Sequence, residues 1–453
     1  MTKFMENEYS SRNVEASGGR AQLKLPSVLY VVFLILMLVG IYPFGIRDAA
    51  TLSHVAEGGG DSAKQIPLII LTVGIALTTL RTKGVSGAFS IPWPIVLTLV
   101  WFFISISWSM VPDVSFRRCM LTMLVCFSVF AFAEDLGASR MLQILTRVLS
   151  VLLLVNFVSV FVVPQAVHLP GEMASDLVGN WRGLHFHKNI AGPIAGLSAI
   201  LFLVRAMRVP TLKQWLLFII CVCFVYFTRS KTTIWIDAIL LPLTAVAELC
   251  SRKPERFKIF IRTIVFAMFI LFLGLIIEAR NITDIISDPD SLTGRGAIWG
   301  IASSYAAKHP ITGSGYAAFW GMGSASPVLS ATAGTWLDAV SHSHNGFLEI
   351  LVTTGFPGLI LASFSAVAWP IWRLMRQPPK EFAPLFGILF FSLLLNLSET
   401  RLFQGSREEW IIHLIAIAVI WQTSKQTQKV TSGINKMKQI QFTNHATRFS
   451  RSS

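Results

Sequence analysis

Leu25–Ile46 reads LPSVLYVVFLILMLVGIYPFGI and contains no charged residue. Because roughly 20 apolar residues form a helix long enough to cross the hydrocarbon core of a bilayer, this stretch predicts a membrane-spanning helix. Residues 1–24, which precede it, are polar and mixed in charge. The apolar run lacks a small-residue cleavage site, so we interpret it as an uncleaved first span rather than a removed signal peptide.

Similar apolar runs recur along the whole chain. Of its 453 residues, 53% are hydrophobic and 14% are charged, and its mean hydropathy is +0.61. These values exclude an ordinary soluble domain. A scan with a window of about 19 residues predicts an all-α polytopic membrane protein with about twelve spans. The predicted spans are Leu25–Ile46, Ile66–Leu80, Trp93–Trp108, Cys119–Ala133, Leu145–Val163, Ile190–Met207, Trp215–Phe227, Thr233–Ala247, Phe257–Ile277, Phe347–Trp369, Phe382–Leu397 and Trp410–Trp421.

Lys and Arg are concentrated between alternate spans. Positively charged loops stay on the cytoplasmic side during insertion, and placing both termini inside puts most of the 38 basic residues there. The short loops Ser251–Lys258 and Trp372–Arg376 show this bias most clearly. The net charge of +14 is then explained by topology and by contact with anionic lipid, without nucleic acid as a partner. The five cysteines lie in or beside spans and do not indicate a disulfide framework.

This topology predicts a division of the chain into five parts. They are a cytoplasmic tail at 1–24, the first nine spans at 25–277, a long outer loop with short helices at 278–345, the last three spans at 346–422, and a basic cytoplasmic tail at 423–453. We expect the basic tail to be disordered or to lie on the membrane surface.

The long outer loop contains a predicted helix. Thr293 is its expected N-cap, and Lys308-His309-Pro310 is its expected end. The predicted apolar face consists of Ile298, Ile301, Ala302 and Tyr305. Arg295 lies near the N-terminus, where free N–H groups and a planar guanidinium suit a phosphate. A solvated loop cation, or a pair with Asp288 or Asp290, is the alternative explanation of Arg295.

Two further outer loops combine cations with aromatic rings. Asn180–Asn189 contains Arg182, His187 and Lys188 among aromatic residues, a mixture that suits sugars and anions but is also typical of an interfacial belt. Arg229 lies in a tight turn between apolar spans. A cation there is costly unless it meets water or an anion, and snorkelling to the headgroups is the competing account.

A titratable pair lies at the mouth of a predicted span. Ser341–Phe347 contains His342 and His344 and is followed directly by the apolar run from Leu348. This placement suggests chemistry at a bilayer surface, although histidines at helix ends often have a purely structural role.

Together these segments resemble the O-antigen ligase and Wzy-type polysaccharide polymerase superfamily. The resemblance extends from about Asn180 to the last span, while the first spans match only in being hydrophobic. The residues that carry it are Arg229 in its short turn, Thr293-Gly294-Arg295 with Trp299, and His344-Asn345 followed by Gly355 and Gly358. The segment from Trp181-Arg182-Gly183 to His187-Lys188-Asn189 is most similar to the exopolysaccharide polymerases, which favours a polymerase over a ligase.

The resemblance implies a glycosyltransferase at the periplasmic face of a bacterial inner membrane, working without metal or cofactor. It would transfer a glycan from a polyprenyl diphosphate to a hydroxyl of a second glycan. The expected partners are the lipid-linked donor, the glycan acceptor, membrane lipid, a chain-length regulator and export machinery.

The resemblance also implies roles for particular residues. His344 would be the general base, because an imidazole pKa of about 6.5 leaves it largely neutral at ordinary pH. Arg229 and Arg295 would hold the diphosphate. Direct displacement with one base predicts inversion at the anomeric carbon. Weaker candidates for the same pocket are Arg182, His187, Lys188, Glu399 and Arg401. Glu399 and Arg401 alternatively pair with each other, and His342 competes with His344 as the base.

Three other functions remain open from the sequence. One is an O-antigen ligase that transfers glycan to a lipid A-core acceptor. Another is a transporter or flippase of lipid-linked sugars, although the predicted spans contain few of the ionisable groups that coupled transport needs. The third is a zinc hydrolase built on His185, His187, His342 and His344, whose spacing does not match familiar zinc motifs.

Overall fold

The computed structural model describes residues 25–45, 62–88, 90–172, 177–277, 291–322, 326–328, 337, 340–405 and 407–449. The described part of the chain is helical, with no strand beyond an isolated bridge between Val167 and Trp181. The predicted all-α fold is therefore confirmed. The helices are α1 (Leu25–Leu38), α2 (Ser62–Ala88), α3 (Trp93–Ile104), α4 (Pro112–Leu136), α5 (Ala138–Val162), α6 (Lys188–Arg208), α7 (Leu212–Thr228), α8 (Lys231–Ser251), α9 (Pro254–Ile277), α10 (Ser291–Lys308), α11 (Gly346–Ser363), α12 (Trp369–Arg376), α13 (Phe382–Asn396) and α14 (Glu408–Phe449).

Each predicted span coincides with one of these helices. Within the described residues, six segments are long and apolar enough to cross a membrane, namely Lys64–Val85, Pro112–Leu136, Ala138–Val162, Lys188–Arg208, Lys231–Ser251 and Gly346–Arg376. The last of these joins α11 to α12 through a π-helical turn, Phe364–Ala368. Shorter apolar helices are Leu25–Leu38, Trp93–Trp108, Leu212–Thr228 and Phe382–Asn396. A count of about twelve crossings stays a prediction.

Helix α6 forms the centre of the bundle, since almost all of its residues are buried. Gly192 and Gly196 allow its neighbours to approach closely. A Cβ at Gly196 would lie 2.8 Å from Asp237 Oδ2 on α8 and 2.8 Å from Phe391 on α13. Small residues at such crossings are typical of helix packing in membranes. Large apolar side chains on the outside, including Val158 of α5, are exposed, as expected of a surface that faces lipid.

The predicted outer loops meet at one end of the bundle. Phe44 N donates to Leu184 O at 3.0 Å, and Trp108 Nε1 donates to Thr312 O at 2.8 Å. The predicted inner loops meet at the other end, where Arg208 contacts Glu248 at 2.9 Å. The grouping of loops agrees with the predicted alternation of sides. Which end faces the periplasm stays a prediction.

One local prediction needs correction. Helix α10 starts at Ser291, so Thr293 lies inside the helix and is not its N-cap. Its predicted end at Lys308 is confirmed, as is its apolar face, where Ile298 and Ala302 are buried. The basic C-terminal arm belongs to helix α14, which runs as far as Phe449; its place on the membrane surface stays a prediction.

Gly355 shapes the junction between the long outer loop and α11. It has a positive φ of 69° inside the helix, a conformation that suits glycine. A Cβ at this position would lie closer than 3.0 Å to Ile311 O. Phe356 N donates to Pro310 O at 2.7 Å and Ser314 N donates to Val352 O at 2.9 Å. The kink therefore holds the segment after α10 against α11.

Candidate active site

The end of α13 and the start of α11 are joined by two asparagines. Asn345 caps α11, since its Oδ1 accepts from Phe347 N and Leu348 N at 3.0 Å. Its Nδ2 donates to Leu397 O at 3.3 Å. Asn396 Oδ1 accepts from the backbone N of Arg401 at 3.0 Å. These bonds fix the histidine loop, residues 341–345, beside the turn that carries Glu399 and Arg401.

The middle of the histidine loop is anchored by its neighbours. Ser343 donates from its backbone N at 2.8 Å and from its Oγ at 2.7 Å to Glu349 Oε2. Trp299 Nε1 donates to Ser343 O at 2.9 Å, and Trp320 Nε1 donates to Ser343 Oγ at 2.8 Å. Ser343 is thereby buried, and the two flanking histidines stay half-exposed.

His344 has a backbone conformation that is uncommon for a side chain of its size. Its φ is 48°, in the left-handed region where non-glycine residues are strained by about 1–3 kcal/mol. The backbone N of His344 donates to His342 Nδ1 at 3.2 Å, and the two ring centroids lie 4.0 Å apart. The anchored neighbours at 343 and 345 hold this strained residue in place.

Three of the predicted site residues converge on the carboxylate of a fourth, Glu399. Glu399 Oε2 lies 3.9 Å from His344 Nδ1 and 3.4 Å from Arg401 Nη2, and Glu399 Oε1 lies 3.6 Å from Arg295 Nη2. The side chain of Glu399 is only 7% exposed, whereas those of Arg295 and His344 are 26% and 33% exposed. A substrate can thus reach the imidazole and one guanidinium, while the carboxylate stays inside. The predicted Glu399–Arg401 pair is confirmed, and Asp288 and Asp290 lie outside the described residues.

Arg401 connects this cluster to the second polar loop. Its Nη2 donates to Asn189 O at 3.1 Å in the first turn of α6. His187 caps α6, since its Nδ1 accepts from Asn189 N at 3.0 Å. The half-buried Lys188 is its neighbour in the chain. His187 and Lys188 therefore lie next to the cluster.

The guanidinium of Arg182 binds groups of its own loop. Its side chain is 1% exposed and lies 3.1 Å from Glu172 Oε1. Its Nε donates to Gln165 O at 2.7 Å and its Nη1 to Phe186 O at 2.9 Å. These contacts hold the loop together and leave little of the guanidinium for a substrate, so its substrate-binding role stays a prediction.

Arg229 is not brought into the cluster. It ends α7 in a left-handed conformation with a φ of 49° and is exposed. Its guanidinium has no polar partner among the described residues. The adjoining Ser230 packs against Gly192, where an added Cβ would lie 2.7 Å from Ser230 Cβ. Arg229 thus lies near the first turns of α6 without touching Glu399 or His344.

Sequence reasoning missed Arg407 and Glu409 at the mouth of the last span. Arg401 Nε lies 3.7 Å from Glu409 Oε1, and Glu409 is buried. Arg407-Glu408-Glu409 directly precedes an apolar run, as the histidine loop does. The signal that pointed to the histidine loop, polar residues directly before an apolar run, could therefore have pointed to Arg407 and Glu409 as well.

The electrostatic surroundings keep both histidines neutral. Burial lowers the pKa of His344, Glu399 opposes this shift, and Arg295 and Arg401 add to it. Burial lowers the pKa of His342 well below its usual range, and His344 and the nearby arginines reinforce the effect. Neutral imidazole is the form that accepts a proton.

A metal is a second possible occupant of this cluster. Ligand atoms of His342, His344 and Glu399 lie within 4.8 Å of one another, a set of two imidazoles and one carboxylate that suits several divalent ions. However, Glu399 also contacts two guanidiniums, whose charges favour an anion over a cation. The alternative zinc site of four histidines does not form within the described residues, since His185 is buried and His187 caps α6.

The fold and this cluster define a helical membrane protein with an arginine-rich site around a neutral histidine. The O-antigen ligase family model (Wzy_C) matches residues 216–363, a segment that contains Arg229, Arg295 and His344. The resemblance inferred from the motifs is therefore confirmed for this domain. Glu399 and Arg401 lie beyond the matched segment.

A curated relative adds to this match. The chain is 29% identical over 173 residues to the exopolysaccharide production protein ExoQ of Rhizobium meliloti (strain 1021). The alignment covers 36% of this chain and 38% of that protein, so the chain spans little more than a third of the relative's length.

Proposed function

We propose that this chain is a polysaccharide polymerase of the bacterial inner membrane, with about twelve spans, both termini in the cytoplasm and its site at the periplasmic face. It joins lipid-linked repeat units by transferring a glycan from a polyprenyl diphosphate to a sugar hydroxyl. The observation that carries this proposal is the convergence of His344, Arg295, Glu399 and Arg401 at one end of the bundle. The family match and the name of the relative support the substrate class.

In this mechanism His344 accepts the proton of the acceptor hydroxyl. The acceptor oxygen attacks the anomeric carbon, the bond from that carbon to the diphosphate oxygen breaks, and the polyprenyl diphosphate leaves. His344 Nδ1 has no hydrogen-bond partner among the described residues and lies 3.9 Å from Glu399 Oε2. Nε2 is then the basic atom, and Glu399 stabilises the imidazolium that forms. Hydrogen bonds of this kind often tighten only when the substrate is bound.

In this mechanism the arginines stabilise the negative charge of the leaving group. Arg295 is partly exposed and contacts Glu399 through a single pair at 3.6 Å, so it can turn towards a diphosphate at little cost. Arg401 is buried and held by Asn189 O, which makes it a fixed positive charge behind the site. Arg229 would contact the diphosphate only if the donor extends towards the first turns of α6. Guanidiniums bind phosphate oxygens with two parallel bonds, which stabilises charge on the leaving oxygen.

The direct test uses purified protein with a defined lipid-linked oligosaccharide and measures product length and yield. We expect His344→Ala to lower the rate by about 10²–10⁴-fold, the usual contribution of general base catalysis. His309→Ala is the matched control, because His309 is exposed and stacks on Tyr305 away from the cluster. A His344→Ala protein that makes polymer of unchanged length and yield would contradict the proposal.

A ligase is the second candidate, favoured by the description of the matching family. The two differ in the acceptor, which is another lipid-linked glycan for the polymerase and lipid A-core for the ligase. In a deletion strain the polymerase predicts single repeat units on outer-face lipid. The ligase predicts intact long chains left on that lipid.

A further inference from the structure

A recess adjoins the histidine loop, apart from the cluster around Glu399. It has a volume of about 220 Å³, and residues that line it include Arg118, Tyr316, Trp320, Ser341, Glu349 and Arg407. Ser341 is the direct neighbour of His342 in the chain, and Glu349 accepts both hydrogen bonds of Ser343. The recess therefore adjoins the proposed catalytic histidine but is lined by other side chains.

The charges of the recess are out of balance. Two guanidiniums face one carboxylate, and the Glu349 oxygen nearest the loop is already used by Ser343. Arg118 Nη1 donates to Ala317 O at 2.5 Å, a neutral acceptor, and Glu349 is the carboxylate of the recess that attracts its charge. The Arg407 side chain forms no hydrogen bond or short ion pair within the described ranges, although the carboxylates of Glu408 and Glu409 attract it. The charged residues that line the recess are thus two arginines and one glutamate. Poorly solvated positive charge in excess is costly, so the recess favours an anionic group.

The walls and size of the recess restrict that group further. Trp320 is nearly fully buried, and its Nε1 is held by Ser343 Oγ at 2.8 Å. The hydroxyl of Tyr316 is engaged by Thr122 and by Phe403 O, so Tyr316 offers mainly its ring. Rigid aromatic walls suit the apolar faces of a sugar. A volume of about 220 Å³ is below the roughly 300–1,000 Å³ of typical ligand pockets, which fits one sugar ring rather than an oligosaccharide.

We propose that this recess binds one acidic sugar residue of the glycan substrate, with its carboxylate on Arg407 and Arg118 and its ring in the space beside Trp320. This proposal rests on the proposed function in that the sugar belongs to the same lipid-linked glycan. Because Ser341 of the histidine loop lines the recess, the bound sugar lies next to that loop. The recess thereby selects glycans that carry an acidic sugar near the reacting end.

The test is a binding measurement on the full chain in lipid nanodiscs. The probes are methyl glucuronide and its neutral counterpart methyl glucoside, with affinities taken from calorimetric titration. We expect the glucuronide to bind about tenfold or more tightly, as a charge-assisted pair provides. Arg407→Gln and, separately, Arg118→Gln should remove most of this preference. Arg376→Gln is the control, because Arg376 lies over Trp372 on α12, outside the recess.

Several results would overturn the assignment. Equal affinity for the two glycosides would do so, as would an unchanged preference in both folded arginine variants. Tighter binding of inorganic pyrophosphate than of glucuronide, lost in the same variants, would assign the recess to the donor diphosphate instead. His344→Ala separates the two proposals. If this variant still polymerises and also prefers the glucuronide, the proposed function fails and the recess assignment stands. If it no longer polymerises and shows no preference for the glucuronide, the recess assignment fails and the proposed function stands.

Discussion

His344 combines a strained backbone with a neutral ring. Its φ of 48° persists because Ser343 and Asn345 on either side are both anchored by hydrogen bonds. Strain of this kind is found where the surrounding structure fixes one functional geometry. The ring is held next to Glu399 and Arg295, which is the placement that a base needs beside a leaving group.

Glu399 gives the first prediction at the residue scale. This carboxylate opposes the burial effect that lowers the pKa of His344, so Glu399→Gln should lower that pKa further. The neutral imidazole is the active form and its fraction rises with pH through the pKa. The acidic limb of the rate profile should therefore move to lower pH in the variant. The maximal rate should fall by about tenfold or more, because the imidazolium loses its counter-charge.

The measurement is the initial rate of glycan transfer against pH for both proteins. Glu255→Gln is a suitable control, because Glu255 forms an exposed pair with Lys258 at the opposite end of the bundle. An acidic limb that stays in place or moves to higher pH in Glu399→Gln would argue against His344 as the titrating base.

Helix starts and ends position the site at the element scale. A Cβ at Gly346 would lie closer than 3.0 Å to Asn396 Oδ1, the atom that accepts from Arg401 N and Leu402 N. Gly346→Ala should therefore push the start of α11 away from the Glu399 turn. We expect a loss of about 1–3 kcal/mol in the free energy of unfolding, together with reduced transfer activity.

The comparison for this change is Gly300→Ala. Gly300 lies in α10 with no atom within 4 Å of an added Cβ, so alanine there should be neutral or slightly stabilising. Thermal unfolding in detergent and the transfer rate would be measured on both variants. Equal behaviour of the two proteins would mean that the contact between α11 and α13 does not position the site.

The sequence predicted elements better than it predicted side-chain partners. The structure has a helix at each span that hydropathy predicted, because the length of an apolar run is a local property of the sequence. Arg295, His344, Glu399 and Arg401 were expected to share a site, and the structure places their side chains close together; their roles stay predictions. The burial of Arg182 against Glu172 depends on how its loop folds back, which no local pattern encodes.

At the scale of the whole molecule, the bundle separates two polar ends. The site lies at one end, and Arg208 with Glu248 and Glu381 lies at the other. Helix α6 extends between them with both ends tied, by Asn189 O to Arg401 and by Arg208 to Glu248. A carrier that moves its substrate needs ionisable groups near the midplane. Here the polar groups that converge are at the end of the bundle, as in an enzyme that reacts with lipid-linked substrates from one face.

This two-ended arrangement gives the last prediction, which concerns orientation. Ser341 is the exposed first residue of the histidine loop, and Lys380 is exposed at the end that contains Arg208. In a variant without the native cysteines, Ser341→Cys should react with a membrane-impermeant maleimide added to intact spheroplasts. Lys380→Cys should react only after the membrane is permeabilised, because the positively charged loops are expected inside. The reverse labelling would place the site in the cytoplasm, where glycans already exported on polyprenyl diphosphate are out of reach.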